Sequence, residues 1–272
     1  MMQRPLDFGE TLYYTRNLSL GNHGVFFYRS ASEKHEVVFN FFQAGLEKGE
    51  GVVYVASQET AKQIRRQMTA FGLDVDTVEK DGALKIFDYD NWYIIDGEVN
   101  VPHIITMGSR IFDEAMEIGL TGLRGCGETA CFFEHAKQKE LVKYELMIGR
   151  KFDLPMTALC AYDADHAKSL DDISFFNLIH AHGPVITHSF AQEVLFEDLF
   201  ATITDEVLET IFRNSGKKAI LQMLSESHPL ASEEIAQQPR AFFEGLEKAV
   251  GSGAQIVAKA ILKKMYTKIG IA

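Results

Sequence analysis

The chain of 272 residues is acidic, with 38 Asp and Glu side chains, 27 Lys and Arg side chains and a formal net charge of −11. Binding to nucleic acid or to an anionic membrane depends on a cationic face, so this charge argues against both kinds of partner. The length suffices for one large domain and a small one, and a hydrophobic content of 46% is ordinary for a soluble globular protein.

The three cysteines, Cys126, Cys131 and Cys160, lie in or beside apolar runs and form no C-x-x-C pair. Reduced thiols in the cytoplasm are the simplest interpretation of this pattern. Residues 1–10 contain no apolar signal core, and no stretch of the chain is long and apolar enough to span a bilayer. We therefore expect a cytoplasmic protein with no membrane partner.

A strand–helix–strand unit opens the predicted fold. An apolar run at residues 25–28 and a second at residues 52–56 flank an amphipathic stretch, as in a βαβ unit. Ser30 with Glu33 three positions later predicts a capping box at the start of the helix, and Gly49 predicts a left-handed end. Because both strands are apolar on successive residues, we expect helices to cover both faces of the sheet.

The turn between the first strand and its helix lacks the glycines of a phosphate-binding loop. A nucleotide-binding α/β protein carries a glycine-rich cradle at this place, with a lysine that meets the phosphates. Here residues 29–35 read R-S-A-S-E-K-H. Without glycine the backbone N–H groups cannot easily fold around a phosphate, and the charge of Glu33 repels one. The sequence therefore predicts a phosphate-loop architecture without phosphate binding and without a bound cofactor.

Strands and helices continue to alternate after this unit. We predict further strands at residues 83–88, 120–123, 157–162 and 184–188, the last at the sheet edge, and helices at residues 58–71, 101–118, 133–151 and 171–180. Residues 124–128 are predicted to form a glycine-bearing turn, and the residues before Leu20 are predicted to form a turn-rich N-terminal arm that lies on the domain. This order predicts an α/β fold with a mostly parallel sheet and helices on both faces.

The strand pattern ends near residue 190. Helices are predicted at residues 193–214, 217–227, 232–238, 239–250 and 254–269. We therefore divide the chain into an α/β domain, residues 1–190, and a small all-α domain, residues 191–272. A helical module of this size gains stability from docking or dimerisation, so we expect a homo-oligomer.

Five short motifs occur in an order that resembles a known sensory family. They are H-G-V-F-F-Y, G-E-G-V-V-Y-V-A, R-G-C-G-E, the Tyr144-Glu145 pair and L-C-A-Y-D. Together they make residues 20–188 resemble the MEDS family, the methanogen and methylotroph sensory domains. The resemblance implies a degenerate RecA-like domain that senses small, hydrocarbon-derived ligands and has no ATPase activity.

Two further stretches resemble other proteins. Residues 39–88 are similar to the circadian-clock ATPase branch of the RecA-like fold, apart from the glycine-free turn. From about residue 228 the chain resembles a small helical output domain found at the end of archaeal signalling chains. These resemblances imply a RecA-like domain, an archaeal source and an output module that contacts a signalling protein.

A ligand site is expected where the strands end, because ligands of open parallel sheets settle at the carboxyl ends of the strands. The polar and aromatic residues at this predicted rim are Tyr28, Arg29, Ser57, Asp88, Trp92, Arg124, Glu128, Cys160 and Tyr162. Their chemistry suits a small molecule with an apolar body and a polar handle. The alternative is structural: Arg124 and Glu128 pair to hold their turn, and the aromatic rings only pack.

His23 and Glu145 join the predicted ligand residues because they lie in motifs that resemble those of the MEDS family. Taken alone, His23 is equally consistent with a hydrogen-bonded imidazole in the core. Glu145 is either a solvated residue in the middle of a helix or a buried acid that points at the rim.

Four histidines near the end of the α/β domain raise the question of a metal site: His166, His180, His182 and His188. An H-x-H pair in a strand would place both rings on one side. However, no acidic or cysteine partner lies at ligand spacing, and the segment resembles the end of a helix. We therefore predict solvated or capping histidines and no metal.

These observations favour a non-catalytic cytoplasmic sensor. A small molecule would bind over the strand ends, and the helical tail would pass the resulting change to a signalling partner. Two alternatives stay open. One is a residual nucleotide-binding hydrolase or transferase that uses Arg124, Glu128 and Glu145. The other is a transcriptional regulator that contacts DNA through its tail, although the tail has no recognisable helix-turn-helix signature.

Overall fold

The computed structural model describes residues 4–227 and 239–272, in which strands and helices are interspersed up to the last strand and only helices follow it. The strands are β1 (His23–Tyr28), β2 (Gly51–Ala56), β3 (Leu84–Asp88), β4 (Ile94–Ile95), β5 (Glu98–Val99), β6 (Leu123–Glu128), β7 (Met156–Asp163), β8 (Pro184–Thr187) and β9 (Phe190–Glu193). The helices are α1 (Phe8–Arg16), α2 (Ala31–Glu47), α3 (Ala61–Phe71), α4 (Val75–Lys80), α5 (Val101–Glu117), α6 (Ala130–Glu134), α7 (Gln138–Ile148), α8 (Ala164–Lys168), α9 (Asp172–His180), α10 (Phe196–Ser227), α11 (Pro239–Val250) and α12 (Gly253–Lys268).

Seven of the strands form one sheet in the order β3-β2-β6-β7-β1-β8-β9. All neighbouring strands in it run parallel except β8 and β9, which form an antiparallel hairpin at one edge. The strands β1 and β2 are buried along their whole length, as their successive apolar residues predict. The predicted fold class, a mostly parallel α/β sheet followed by a helical C-terminal part, is confirmed.

Alternation of side chains along the strands divides the core into two layers. Phe26 and Tyr28 of β1 point to the face that α2 and α3 cover, which we call the α2 face. Val25 and Phe27 point to the opposite face. That face, which we call the α5 face, is covered by α5, α7 and α9, and its apolar core continues into the C-terminal helices.

The first βαβ unit forms as predicted, with one difference at its cap. Ser30 begins α2, and its hydroxyl accepts a hydrogen bond from the N–H of Glu33 at 3.2 Å. The Glu33 carboxylate accepts from the N–H of Arg29 at 2.9 Å, one residue before the position that a capping box requires. Gly49 has a φ of 76°, so the predicted left-handed end is confirmed.

Two predicted elements in the middle of the chain are wrong. Residues 124–128 are not a turn but most of β6, because their charged side chains are buried and paired inside the protein. The helix predicted at residues 133–151 is two helices, α6 and α7, separated near Ala136, whose φ is 53°. Charges and glycines that usually mark a turn here belong to a buried strand.

Two expectations at the sheet edge and the N-terminus are also wrong. The strand β8 is not the edge strand, because β9 returns beside it. The N-terminal segment lies on the domain as predicted but is not turn-rich, because Phe8–Arg16 form the helix α1 with a capping box of Asp7 and Glu10 at its start. The helix α1 contacts α2 and β9, so it covers part of the α2 face.

The C-terminal helices pack on one another and on α9. The helix α10 bends at Arg213, which has a φ of 56°, and contacts both α11 and α12. The ring centroid of Phe176 in α9 lies 5.3 Å from that of Phe200 and 5.7 Å from that of Phe243. The helix predicted at residues 232–238 lies outside the described residues, and the domain boundary stays a prediction. Among the described helices, none has the length and apolar character of a transmembrane span.

Candidate functional site

Glu128 lies at the carboxyl end of β6, at the predicted rim, and donors surround its carboxylate. One oxygen accepts hydrogen bonds from the Lys34 ammonium at 2.6 Å and from the Tyr54 hydroxyl. The other accepts from the backbone N–H groups of Ser57 and Gln58, each at 2.7 Å. Burial, with the charge of Glu128, raises the pKa of Tyr54 well above its usual value, so this hydroxyl stays a donor. The buried carboxylate therefore finds all its partners within the protein.

Lys34 lies in the first turn of α2, where a phosphate-binding protein would direct positive charge at its ligand. Its ammonium is 3.2 Å from the Glu59 carboxylate as well as 2.6 Å from that of Glu128. The Tyr28 hydroxyl donates to the side chain of Gln58 at 2.8 Å and extends the network. An internal ion pair thus lies where the phosphate loop would be. We call Glu128 and the side chains around it the rim network.

Three other predicted rim residues form hydrogen bonds to the backbone of other segments of the chain. The Asp88 carboxylate accepts from the N–H of Ala61 at the start of α3, at 2.6 Å. The Ser57 hydroxyl accepts from the N–H of Cys131 at 2.6 Å. The exposed Arg29 guanidinium donates to two backbone carbonyl oxygens in the segment after α12. Each of these side chains therefore has a partner within the protein.

Arg124 lies at the opposite end of β6 from Glu128, so the two side chains do not pair. Its guanidinium is fully buried, forms an ion pair with Glu50 and donates to the carbonyl oxygen of Phe41 at 3.1 Å. A Cβ atom at Gly45 would lie 2.7 Å from the Cδ atom of Arg124, so α2 needs glycine at this position. The alternative in which Arg124 and Glu128 pair across a turn is therefore wrong, because the two residues lie near opposite ends of a strand.

A cavity of about 280 Å³ lies on the α5 face, between the sheet and the helices α5 and α7. Its apolar wall includes Val53, Val55, Ile104, Phe112, Leu123 and Met156. Of the predicted ligand residues, His23, Trp92 and Cys160 line it. The strand β6 also contributes Gly125 and Gly127 to this wall, and the side chain of Tyr93 lies against Gly127.

Next to this cavity four buried side chains converge: His23 of β1, Glu145 of α7, Cys160 of β7 and His182, which follows α9. His23 Nε2 lies 3.2 Å from Cys160 Sγ and 3.4 Å from Glu145 Oε2. Glu145 Oε2 also lies 3.5 Å from His182 Nε2 and 3.5 Å from Cys160 Sγ. The candidate ligand atoms all lie within 4.8 Å of one another. We call these four residues the inner cluster.

Backbone carbonyl groups fix the orientation of both histidine rings. His23 Nδ1 lies 2.8 Å from the Gly149 oxygen, and His182 Nδ1 lies 2.7 Å from the Leu178 oxygen. Because a carbonyl oxygen only accepts, each Nδ1 carries the hydrogen, and each Nε2 faces the rest of the inner cluster. His182 Nε2 makes no hydrogen bond to any described residue.

Burial sets the protonation of the inner cluster. Burial, followed by the proximity of His182, lowers the pKa of His23 to about 4, so its ring is neutral at pH 7. Burial raises the pKa of Cys160 well above its usual value, so the thiol keeps its proton. Burial also acts to raise the pKa of Glu145, but the two histidines and the Tyr162 hydroxyl, which donates at 2.6 Å, outweigh it and lower this pKa. The cluster thus combines a carboxylate with a neutral imidazole and a thiol.

The four histidines considered as metal ligands separate in the structure. His180 ends α9, and its Nε2 lies 3.1 Å from the Glu197 carboxylate. His166 and His188 each stack on a phenylalanine ring. His182 is fully buried and has an acidic and a cysteine side chain within 4.8 Å. The expectation that such partners are missing is wrong for His182, because they come from distant segments of the chain.

The family model of MEDS, the MEthanogen/methylotroph, DcmR Sensory domain, matches residues 22–177. The five sequence motifs and the rim network lie within this range, as do three members of the inner cluster, whereas His182 lies just beyond it. No curated protein matches the chain.

Solved structures from the archaeon Pyrococcus horikoshii OT3 are similar to the chain. A KaiC-like protein matches with 19% identity over 62% of this chain and 71% of its own, at a TM-score of 0.45. A second protein from the same archaeon matches with 8% identity over 71% of this chain and 95% of its own, at a TM-score of 0.47.

Proposed function

The chain belongs to the MEDS family, whose model covers residues 22–177, and on this premise we propose that it is a non-catalytic cytoplasmic sensor. A small, mainly apolar molecule binds in the cavity on the α5 face, and the C-terminal helices pass the effect to a signalling protein. The observation that carries this proposal is the cavity, about 280 Å³ in volume, with a largely apolar wall and the inner cluster beside it.

The size and lining of the cavity favour a ligand with a short apolar body and one polar handle. Pockets for drug-sized ligands occupy roughly 300–1,000 Å³, so this cavity suits a smaller molecule. Its aliphatic and aromatic walls bury the apolar body, and His23 and Cys160 supply polar atoms at one side. A hydrocarbon-derived molecule has this chemistry, whereas a nucleotide is too large and too highly charged.

The rim network supports a role without nucleotide chemistry. The Lys34 ammonium already meets two carboxylates, so a triphosphate would have to displace a buried ion pair before it gained this cation. Calorimetric titration with ATP and magnesium tests this point. We expect no binding heat, and tight binding with turnover would favour a residual nucleotide hydrolase instead.

The signal would travel through α9. The helix α7 lines the cavity and contacts α9, and the Phe176 ring of α9 packs on α10 and α11. A ligand that shifts α7 therefore changes the packing of the C-terminal helices. Hydrogen exchange in α10 to α12 should change when a cavity probe binds, and exchange that is unchanged there would contradict this route.

Contacts with other protein chains are proposed for the C-terminal helices. The large apolar side chains Leu221, Met223 and Ile256 are exposed there, which favours a homo-oligomer or a protein partner. Four lysines of α12 could attract a nucleic acid, Lys259, Lys263, Lys264 and Lys268, but Lys264 and Lys268 pair with Glu206. A salt-dependent gel shift with DNA should therefore be negative, and a positive result would favour a transcriptional regulator.

Filling the cavity tests the proposal directly. Gly108 of α5 lines the cavity, and a Cβ atom added there meets no other atom within 4 Å. The substitution Gly108→Leu should therefore occupy the ligand space without a clash. Thermal unfolding of the full chain is measured with short-chain alcohols, thiols and alkyl halides as probes. A probe at about 100 times its Kd should stabilise the native protein by about 2.7 kcal/mol and should not stabilise Gly108→Leu.

A matched control is the substitution Thr106→Leu on the same helix. Thr106 is exposed and does not line the cavity, so this variant should respond to the probes as the unsubstituted protein does. Equal stabilisation of Gly108→Leu and of the unsubstituted chain by every active probe would place the ligand elsewhere and contradict the proposal.

A further inference from the structure

We infer that the inner cluster, formed by His23, Glu145, Cys160 and His182, is a binding site for one divalent transition-metal ion of the zinc class. The side chains of the two histidines and of Glu145 are fully buried, and Cys160 is 5% exposed. Their ligand atoms come from four different segments of the chain and lie within 4.8 Å of one another. This inference goes beyond the proposed function and does not depend on it, because metal binding is measured without a ligand in the cavity.

Four of the six separations between ligand atoms are close to those around a tetrahedral ion, and all six are within 4.8 Å. Zinc binds nitrogen and oxygen at about 2.0–2.2 Å and sulfur at about 2.3 Å, so ligand atoms around it lie about 3.3–3.8 Å apart. The measured separations are 3.2 Å between His23 Nε2 and Cys160 Sγ, and 3.4 Å between His23 Nε2 and Glu145 Oε2. Glu145 Oε2 is 3.5 Å from both His182 Nε2 and Cys160 Sγ. Small side-chain adjustments would therefore complete the coordination sphere.

Groups around the cluster orient its ligand atoms toward a common point. Each histidine donates from Nδ1 to a backbone carbonyl oxygen, which directs both Nε2 atoms inward. The Tyr162 hydroxyl donates to Glu145 Oε1 at 2.6 Å and leaves Oε2 directed at the cluster. Such support from outside the ligands is typical of metal sites and is more than the packing of a histidine requires.

A second observation is a buried nitrogen atom without a hydrogen-bond partner. His182 Nε2 is buried and makes no hydrogen bond to any described residue. The nearest carboxylate oxygen, Glu145 Oε2, lies 3.5 Å away. A buried polar atom usually has a partner, and a metal ion at the centre of the cluster would be a common partner for this nitrogen and this oxygen.

The donor set selects the class of metal. Two imidazoles, a thiolate and a carboxylate suit zinc and chemically similar ions such as cobalt(II), whereas calcium and magnesium prefer oxygen ligands alone. When the ion binds, the S–H bond of Cys160 breaks, the metal–sulfur bond forms and the proton leaves to solvent. The thiolate and the Glu145 carboxylate then balance the double positive charge, so the buried site is neutral overall.

The experiment uses the full chain after removal of metals by a chelator. Zinc is titrated in competition with a chromophoric chelator, and cobalt(II) is titrated in parallel with absorption spectroscopy. We expect one zinc ion per chain. The cobalt form should show the intense visible bands of a tetrahedral ion and a thiolate-to-cobalt charge-transfer band in the near ultraviolet. No stoichiometric binding, or a cobalt spectrum without a thiolate band, would overturn the inference.

The variant Cys160→Ala identifies the sulfur ligand. Loss of a group that only supports a ligand lowers metal affinity about 10- to 100-fold, so loss of the ligand itself should lower zinc affinity more than about 100-fold. The matched control is Cys126→Ala, which removes a buried thiol of the neighbouring strand that belongs to the core on the α2 face. It should leave zinc affinity and the cobalt spectrum unchanged.

Folding of the variants is checked by circular dichroism. Unchanged zinc affinity in a folded Cys160→Ala variant would overturn the inference. If Cys160→Ala does not fold, the cobalt spectrum of the unsubstituted chain still decides, because the thiolate band reports the metal–sulfur bond without any substitution.

Discussion

Two buried polar groups lie on opposite faces of one sheet, and each contains a buried carboxylate. The side chains that surround the carboxylate differ between the two groups. In the rim network Glu128 faces the ammonium of Lys34, so the chain supplies its own cation. In the inner cluster Glu145 faces two imidazoles and a thiol, and no lysine or arginine of the described residues forms an ion pair with it. The first group therefore contains its own cation, whereas the second, in which Glu145 meets only imidazoles, a thiol and the Tyr162 hydroxyl, is suited to a cation from outside.

This difference explains why ligand chemistry is proposed for the α5 face and not for the strand ends. At the strand ends the carboxylate and the lysine satisfy each other, and no polar atom of that pair is left for a ligand. On the α5 face an apolar cavity adjoins the inner cluster, and His23 and Cys160 belong to both. The following predictions test the comparison, beginning with the largest expected effect.

Removal of the internal cation should make the rim network unstable. The substitution Lys34→Met leaves the Glu128 carboxylate buried without a charged partner, so the free energy of unfolding should fall by about 3–5 kcal/mol. Urea unfolding monitored by circular dichroism measures this change. The double variant Lys34→Met/Glu128→Gln removes both charges and should recover a large part of the loss. A loss below about 1 kcal/mol for the single variant would show that the buried Glu128 carboxylate does not depend on Lys34 as its charged partner.

Removal of the hydroxyl that supports Glu145 should weaken the inner cluster as a metal site. The substitution Tyr162→Phe deletes the hydrogen bond to Glu145 Oε1, so zinc affinity should fall about 10- to 100-fold. The control is Tyr54→Phe, which deletes the corresponding hydroxyl of the rim network and should leave zinc affinity unchanged. Equal losses of zinc affinity in the two variants would show that the hydroxyl beside Glu145 has no special role in metal binding.

Glycines beside the cavity should differ in their tolerance of a methyl group. Gly108 lies inside α5 with open space around it, so Gly108→Ala should stabilise the protein by about 1 kcal/mol through helix propensity. At Gly127 an added Cβ would lie 1.9 Å from the hydroxyl oxygen of Tyr93, so Gly127→Ala should destabilise by about 1–3 kcal/mol. Urea unfolding of both variants measures the contrast. A loss of stability in Gly108→Ala would contradict the open space beside Gly108.

Local sequence patterns predict much of the fold. Successive apolar residues identify β1 and β2, Ser30 marks the start of α2, and the left-handed Gly49 marks the exit from it. These features depend on neighbours within a few residues, so the sequence contains the whole signal. The resemblance to the MEDS family is likewise confirmed by the match to residues 22–177.

Buried charges and the candidate site could not be predicted in the same way. Lys34 and Glu128 are 94 residues apart, Arg124 and Glu50 are 74 apart, and His23 and Cys160 are 137 apart. Local sequence therefore predicts a turn for the charged residues of β6, although distant partners neutralise them in a buried strand. The inner cluster could not be predicted from the sequence for the same reason, because only the fold brings its four segments together.

Native mass spectrometry of the purified full chain, compared with its Gly108→Leu variant, tests the central claim most directly. The account predicts that the unsubstituted chain carries a small, mainly apolar molecule and that Gly108→Leu, with its cavity filled, carries none. A nucleotide bound to the unsubstituted chain, or the same small molecule retained by Gly108→Leu, would contradict it.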